Sequence, residues 1–321
     1  MNATAIAPTF KLVEKPPLID GIPDNILALI APIVAYWSYS LFFYTIDTLE
    51  LAEQFRIHPP EEVISRNKAT KLDVLKDVLL QHFIQTVVGV LSTYLDEDQY
   101  TGDEVYQTWV LKQRVPWLPW NLCWLIYNYG FSMLKITIAF VIIDTWQYWL
   151  HRIMHMNKFL YKRFHSRHHR LYVPYAFGAL YNDPVEGFLL DTLGTGIAAI
   201  VTGLTPREQI VLYTFSTLKT VDDHCGYALP FDPFQKLFPN NSIYHDIHHQ
   251  QFGIKTNFSQ PFFTFWDLLN NTMYHELDSY KEKQKQITID KYKQFLRDRE
   301  DAKLKKKQEL YGKDETTKKE K

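Results

Sequence analysis

Nine of the twelve histidines lie between His151 and His249, eight of them in three tight patterns. These are His151 and His155, then His165, His168 and His169, then His245, His248 and His249. Spacings of three and four place side chains on one face of a helix, so each pattern can aim two or three imidazoles at a common point. Imidazole is a ligand for iron, zinc and copper. One ion takes about four to six ligands, so eight imidazoles imply two ions. His224, in Val-Asp-Asp-His-Cys-Gly-Tyr, is a candidate ninth ligand. Structural zinc sites are closed, four-ligand and usually rich in cysteine. The two cysteines here, Cys123 and Cys225, lack ligand spacing and exclude a disulfide-stapled scaffold. His58, His82 and His275 stand apart from the patterns and read as structural.

Neutral imidazoles leave the charge of two divalent cations uncompensated, so nearby acidic groups carry information. Asp144 and Tyr148 precede His151 by seven and three residues and share a helical face with His151 and His155. Asp144 is expected to accept the remaining N–H of a liganding imidazole, with Tyr148 beside it as a supporting residue. Asp222, Asp223 and Asp246 are further candidates for the same role. Such a centre suits iron-based activation of oxygen for attack on an unactivated C–H bond of a lipid. No cofactor-binding motif is present, neither Gly-x-Gly-x-x-Gly nor the His-Pro-Gly-Gly of a fused cytochrome domain, so the electrons must come from elsewhere.

The elements that position these residues are apolar. With 46% hydrophobic residues, including 21 Phe, 20 Tyr and 8 Trp, the chain is not disordered. Residues Asn25 to Ile46 are uncharged, flanked by aromatics and long enough to span a bilayer. Val78 to Leu95 is a second candidate and Leu122 to Leu150 a third, the latter longer than a bilayer of roughly 30 Å requires. Gly187 to Leu204 and Glu208 to Val221, joined at Thr205-Pro206, read as a helical hairpin with arms short for a crossing. Residues 1 to 24 are polar and lack the features of a removable signal peptide. The loop after the first span holds Arg56, Arg66, Lys68, Lys71 and Lys76, against Lys112 and Arg114 in the next. By the positive-inside rule the first loop, and with it all nine histidines, faces the cytosol. The expected fold is all-α: a polytopic helical membrane protein with a cytosolic-facing, histidine-rich di-metal helical cap. Its parts are a polar segment over 1–24, a membrane-embedded catalytic domain over 25–276 and a charged tail over 277–321.

The net charge of −1 hides that tail, because Lys281 to Lys321 holds 15 of the 35 basic residues and 9 of the 36 acidic ones. It reads as a solvated surface helix, with no nucleic-acid partner expected. Its closing Lys318-Lys319-Glu320-Lys321 resembles the two-lysine retrieval signal of endoplasmic-reticulum membrane proteins.

With these boxes the sequence resembles the fatty acid hydroxylase superfamily of membrane di-iron oxygenases. Four stretches, Asp144–His169, Leu180–Ala198, Thr220–Asn241 and Tyr244–Asp267, are similar to the sphingolipid 4-hydroxylase branch, the sphinganine 4-monooxygenases. The resemblance implies an endoplasmic-reticulum enzyme that hydroxylates carbon 4 of sphinganine or dihydroceramide, giving phytosphingosine or phytoceramide. It implies two Fe ions, O2 as co-substrate, and electrons from NADH through cytochrome b5 and its reductase. It carries the ligand role to His151, His155, His165, His168, His169, His224, His245, His248 and His249. Two departures stand out. Many sterol-acting relatives have His-Pro-x-Glu where this chain has Asp183-Pro184-Val185-Glu186, and many follow the closing Trp-Asp with Phe-Gly-Thr where Trp266-Asp267 is followed by Leu-Leu. The alternatives are a sterol desaturase or methylsterol oxidase of the same superfamily, or a non-catalytic zinc-binding or transport protein.

Overall fold

The computed structural model describes residues 6–319, with side chains to residue 305. The last two residues of the Lys318–Lys321 motif lie outside the described residues. The architecture is helical, with one two-stranded sheet among the described residues. Four helices are long and apolar enough to cross a membrane. Helix α1 is Asp24–Thr48, α2 is the short Pro60–Arg66, and α3 is Lys71–Ser92. After α4 (Glu104–Arg114) comes α5, Trp120–Met156, whose 37 residues include a π turn at Ile126–Gly130. At 1.5 Å per residue α5 is about 55 Å long, so its C-terminal end, with His151 and His155, projects beyond a bilayer of about 30 Å.

Helix α6 (Lys158–Arg163) leads through a 3₁₀ turn at His165–Arg170 to α7 (Pro184–Thr202) and α8 (Pro206–Asp223). The hairpin between α7 and α8 is built from local signals. Gly203 ends α7 at φ 60°, the left-handed conformation that glycine adopts without a Cβ penalty. Thr205 and Glu208 then form a reciprocal capping box, with Pro206 at the first helical position. The sequence reading makes both arms too short to cross. Begun at Pro184, however, α7 has 19 residues and meets the length requirement.

The hairpin tip touches the opposite end of the bundle from the histidines. Arg207 pairs with Asp24 at the start of α1 at 2.6 Å, and Lys135 Nζ binds Glu208 at 2.6 Å and the Gly203 carbonyl at 2.9 Å. The lone charge of the third span therefore has a partner inside the protein, as intramembrane charges require. Strand pairing supplies an independent register. Val13–Glu14 pairs antiparallel with Tyr100–Thr101, so the segment before α1 lies on the same side as the loop after α3.

Two apolar clusters hold the bundle. Tyr36 and Phe43 of α1, Val74 and Val78 of α3, and Leu171–Tyr181 form one; Ala139 and Ile143 of α5, Ala198 and Ala199 of α7, Leu212 of α8 and Phe262 form the other. Large apolar side chains such as Phe42, Phe83, Leu134 and Val201 remain exposed on the spans, where lipid replaces water. Completing the chain are α9 (Pro233–Leu237), α10 (Ser242–His249), α11 (Phe265–Leu269) and α12 (Leu277–Lys319). The tail is not wholly detached from the body. The Tyr280 hydroxyl donates to Asp246 at 2.8 Å, and the Thr288 hydroxyl donates to the Arg56 carbonyl at 2.7 Å.

Candidate metal centre

All nine candidate ligands converge, and they sort into two groups. His151, His155, His165, His169 and His248 form one, and His168, His224, His245 and His249 the other; within each, the ligand atoms lie within 4.8 Å of one another. The groups adjoin, with the rings of His169 and His249 5.0 Å apart. The division follows helical geometry in part. Pairs four apart stay together: His151/His155 and His245/His249 lie on α-helices, where four residues nearly complete a turn, whereas His165/His169 lie on a 3₁₀ turn and are brought together by the packing around it. His248 points about 100° away from His249 on its α-helix, and His168 about 120° from His169 on its 3₁₀ turn, and each joins the other group. The two boxes thus exchange one histidine each.

Burial and hydrogen bonding leave a metal-ready nitrogen on these rings. Nδ1 donates to a backbone carbonyl from His151 (Phe258, 2.8 Å), His168 (Tyr181, 3.1 Å), His224 (Thr220, 2.9 Å), His248 (Thr256, 2.7 Å) and His249 (Leu171, 2.7 Å). A carbonyl only accepts, so the proton sits on Nδ1 and Nε2 carries a lone pair. These Nε2 atoms face one another: His151 to His165 at 3.1 Å, His169 to His165 at 3.0 Å, His245 to His224 at 3.0 Å and His249 to His245 at 3.1 Å. The Nε2 of His248 is buried with no hydrogen-bond partner. Facing lone pairs repel one another unless a cation lies between them, so the donor set fits two metal ions. Burial pushes the rings of His165, His169, His245, His248 and His249 well below the ordinary imidazole pKa, and the adjacent histidines add to the effect. For the same first reason His168 is pushed down to about 4 and His224 to about 3. Neutral imidazole is the form that binds metal.

The carboxylates differ from the sequence reading. Asp144 accepts from the backbone N–H of Phe262 (3.1 Å) and of Phe263 (2.6 Å), and no imidazole donates to it. The reason is positional: the 258–263 segment crosses this face of α5 and presents two free N–H groups there. Tyr148 bonds Thr272 at 3.0 Å, stacks on Trp266 and packs edge-on against Phe258, the residue whose carbonyl orients His151, without touching a ligand itself. Asp223 pairs with Lys219, Asp222 takes a bond from Gln235 at 3.3 Å, and Asp246 binds His58 at 2.9 Å. His58 is thus a tie between the first loop and α10, while both ring nitrogens of His82 are buried without a partner.

The carboxylate that does meet a ligand is Glu186, which accepts from His165 Nδ1. Its signal in the sequence was the Asp183-Pro184-Val185-Glu186 departure: Asp183 caps α7, Pro184 starts it, and Glu186 falls in the first turn. Asp267 is the second residue missed. It is fully buried and accepts from the N–H of Phe258 (3.0 Å) and Ser259 (2.7 Å) and from the Tyr244 hydroxyl (2.8 Å). It thereby fixes both the Phe258 carbonyl that orients His151 and the helix that carries the last box.

Comparison with known proteins agrees with this site. The fatty acid hydroxylase family model matches residues 136–272, which include all nine histidines. A sphingolipid C4-hydroxylase of Saccharomyces cerevisiae is 59% identical over 95% of this chain and 87% of its own length. The chain belongs to the fatty acid hydroxylase family. The sphingolipid C4-hydroxylase of Schizosaccharomyces pombe is 44% identical over 81% of this chain and 92% of its own. A sphinganine C4-monooxygenase of Arabidopsis thaliana is 43% identical over 78% and 88%. A methylsterol monooxygenase of Aspergillus fumigatus is more distant, at 28% over 79% of each chain. No solved structure matches.

Proposed function

We propose that this chain is a membrane di-iron monooxygenase that hydroxylates carbon 4 of sphinganine or dihydroceramide, giving phytosphingosine or phytoceramide. The observation that carries the reading is the pairing of five and four buried imidazoles, joined to near-full-length similarity to sphingolipid C4-hydroxylases. The nine histidines would hold the two ions. Iron held there would supply the chemistry of O2 reduction, in which one oxygen atom enters the C–H bond at carbon 4 and the other leaves as water, at the expense of two protons and of two electrons from NADH through cytochrome b5 and its reductase.

The protein's own part is positioning and exclusion of water. Backbone carbonyls fix the ring orientation of five ligands, and Glu186 does so for His165. A chamber of about 30 Å³ touches both groups through His165, His168, His224 and His245. Its small volume and burial keep bulk water from the reacting carbon. The basic loop around Arg56–Lys76 supports a cytosolic orientation of the centre, where a soluble electron-donor domain docks. The family resemblance supports residence in the endoplasmic reticulum. Expression in a host that makes no phytosphingosine tests the reading: 4-hydroxylated long-chain bases are expected. Altered sterols without them would support the methylsterol oxidase alternative instead.

A further inference from the structure

The small chamber continues into the membrane. A second cavity of about 180 Å³ shares Gln147, Asp191, Thr220 and Pro261 with it, so one wall runs from the histidines outward. Midway along, this cavity is apolar, bounded by Ala28, Leu29, Pro32 and Ile33 of α1 and by Val88 and Gly89 of α3, while its far rim is polar, with Asn25, Asp96 and Gln209. Near the histidines it is polar. An alkyl chain entering between α1 and α3 would therefore bring a polar end to the chamber.

Asp191 stands where the two cavities meet. It lies on a π segment, Phe188–Leu193, inside α7. Such one-turn bulges re-aim a side chain at the cost of a regular backbone bond and cluster at functional sites. Its carboxylate is contacted only at the limit of hydrogen bonding, by Gln147 Nε2 at 3.5 Å and Asn182 Nδ2 at 3.5 Å. Among the described residues no Lys, Arg or His pairs with it, whereas the intramembrane Lys135 has Glu208 and the buried Lys219 has Asp223. An ionisable group in a membrane helix that faces a cavity marks a ligand path, and its missing partner is a cation or strong donor. Resting on the reading above, the candidate is at hand: in a sphingoid base the amino-bearing carbon 2 is two bonds from carbon 4. A group that holds the amine at the chamber edge thereby keeps carbon 4 within two bonds of the chamber that the histidines line.

We propose that Asp191 is the anchor for the amino group of the sphingoid base, and that the site takes the free base in preference to its N-acyl form. The ammonium gives a charge-assisted bond that an amide N–H does not match. Asp191 positions the substrate and takes no part in oxygen chemistry.

The test uses the full-length protein in lipid nanodiscs, with equilibrium binding of sphinganine and of uncharged N-acetylsphinganine. Wild type is expected to prefer sphinganine. Asp191→Asn, nearly isosteric, is expected to weaken sphinganine binding about tenfold and N-acetylsphinganine less than about threefold. Asp191→Glu, which keeps the charge, is expected to recover most of the sphinganine affinity. Sphinganine binding by Asp191→Asn equal to wild type, in protein that hydroxylates carbon 4, overturns the anchor and leaves the proposed reaction standing. Equal losses for both ligands would make Asp191 a determinant of cavity shape and also overturn it. Wild-type protein that yields no 4-hydroxylated base from either compound overturns the reaction itself.

Discussion

Glu186 accepts a hydrogen bond from Nδ1 of His165, with the two side chains only 2% and 1% exposed. It is the one carboxylate among the described residues that meets a candidate ligand, and it fixes the tautomer and basicity of that ring. Glu186→Gln keeps an acceptor but loses the negative charge. It is expected to lower metal affinity or turnover about 10- to 100-fold, measured as bound metal per protein and product per minute. Wild-type values for both would remove Glu186 from the centre.

His168 and His248 are the two members that cross between groups, so each deletion should strike one ion. His168→Ala is expected to deplete the four-histidine group and His248→Ala the five-histidine group, each abolishing turnover. Membrane insertion should be intact, because the apolar spans form without the site. Product formation at the wild-type level in either variant contradicts the assignment; elemental analysis shows whether one ion or both are lost.

Asp144 acts on the site through backbone. Asp144→Asn leaves the N–H of Phe262 or Phe263 facing an amide N–H₂, at a cost of about 1–3 kcal/mol for an unsatisfied buried donor. The 258–263 segment should loosen and the Phe258 carbonyl on His151 with it. Activity and thermal stability are expected to fall together, activity without vanishing. A fall in activity at unchanged melting temperature would point to a direct role instead.

His58 links pH to stability. Burial opposes its protonation, but the carboxylates of Asp246 and then Glu62 outweigh burial and hold the ring above the ordinary value of 6.5. A raised folded-state pKa contributes stability that is complete below the unfolded value and is lost as pH rises through the folded one. His58→Gln should therefore lower the melting temperature most below about pH 6.5 and progressively less as pH rises from there through the raised value. A melting-temperature difference independent of pH would show that His58 contributes only as a neutral hydrogen-bonding group.

The tail divides functionally. Among the described residues its first turns touch the body, through Tyr280 and Thr288. Truncation from Lys303 is expected to leave turnover in isolated membranes within about twofold, since no described contact reaches that far. Tyr280→Phe removes a donor from Asp246, which also holds His58, and is expected to lower the melting temperature by a few degrees. Loss of activity on truncation would place a binding function in the distal helix.

The sequence by itself determined three of the four candidate spans and the nine histidines, because hydrophobic length and helical spacing are local properties. It also held the turn chemistry of the α7–α8 hairpin, in Gly203, Thr205-Pro206 and Glu208. Only the tertiary structure decided which histidine joins which group, since the crossing of His168 and His248 depends on how three separate helical turns face one another. It also decided the carboxylates. Asp144 shares a helical face with His151, but the neighbouring 258–263 segment presents two unpaired N–H groups and captures it. Glu186, 21 residues from His165, and Asp267, nine from Phe258, reach the site through packing. A hydrogen-bond partner is chosen by whatever unsatisfied group lies within about 3 Å in the folded chain, and periodicity along the sequence carries no record of that.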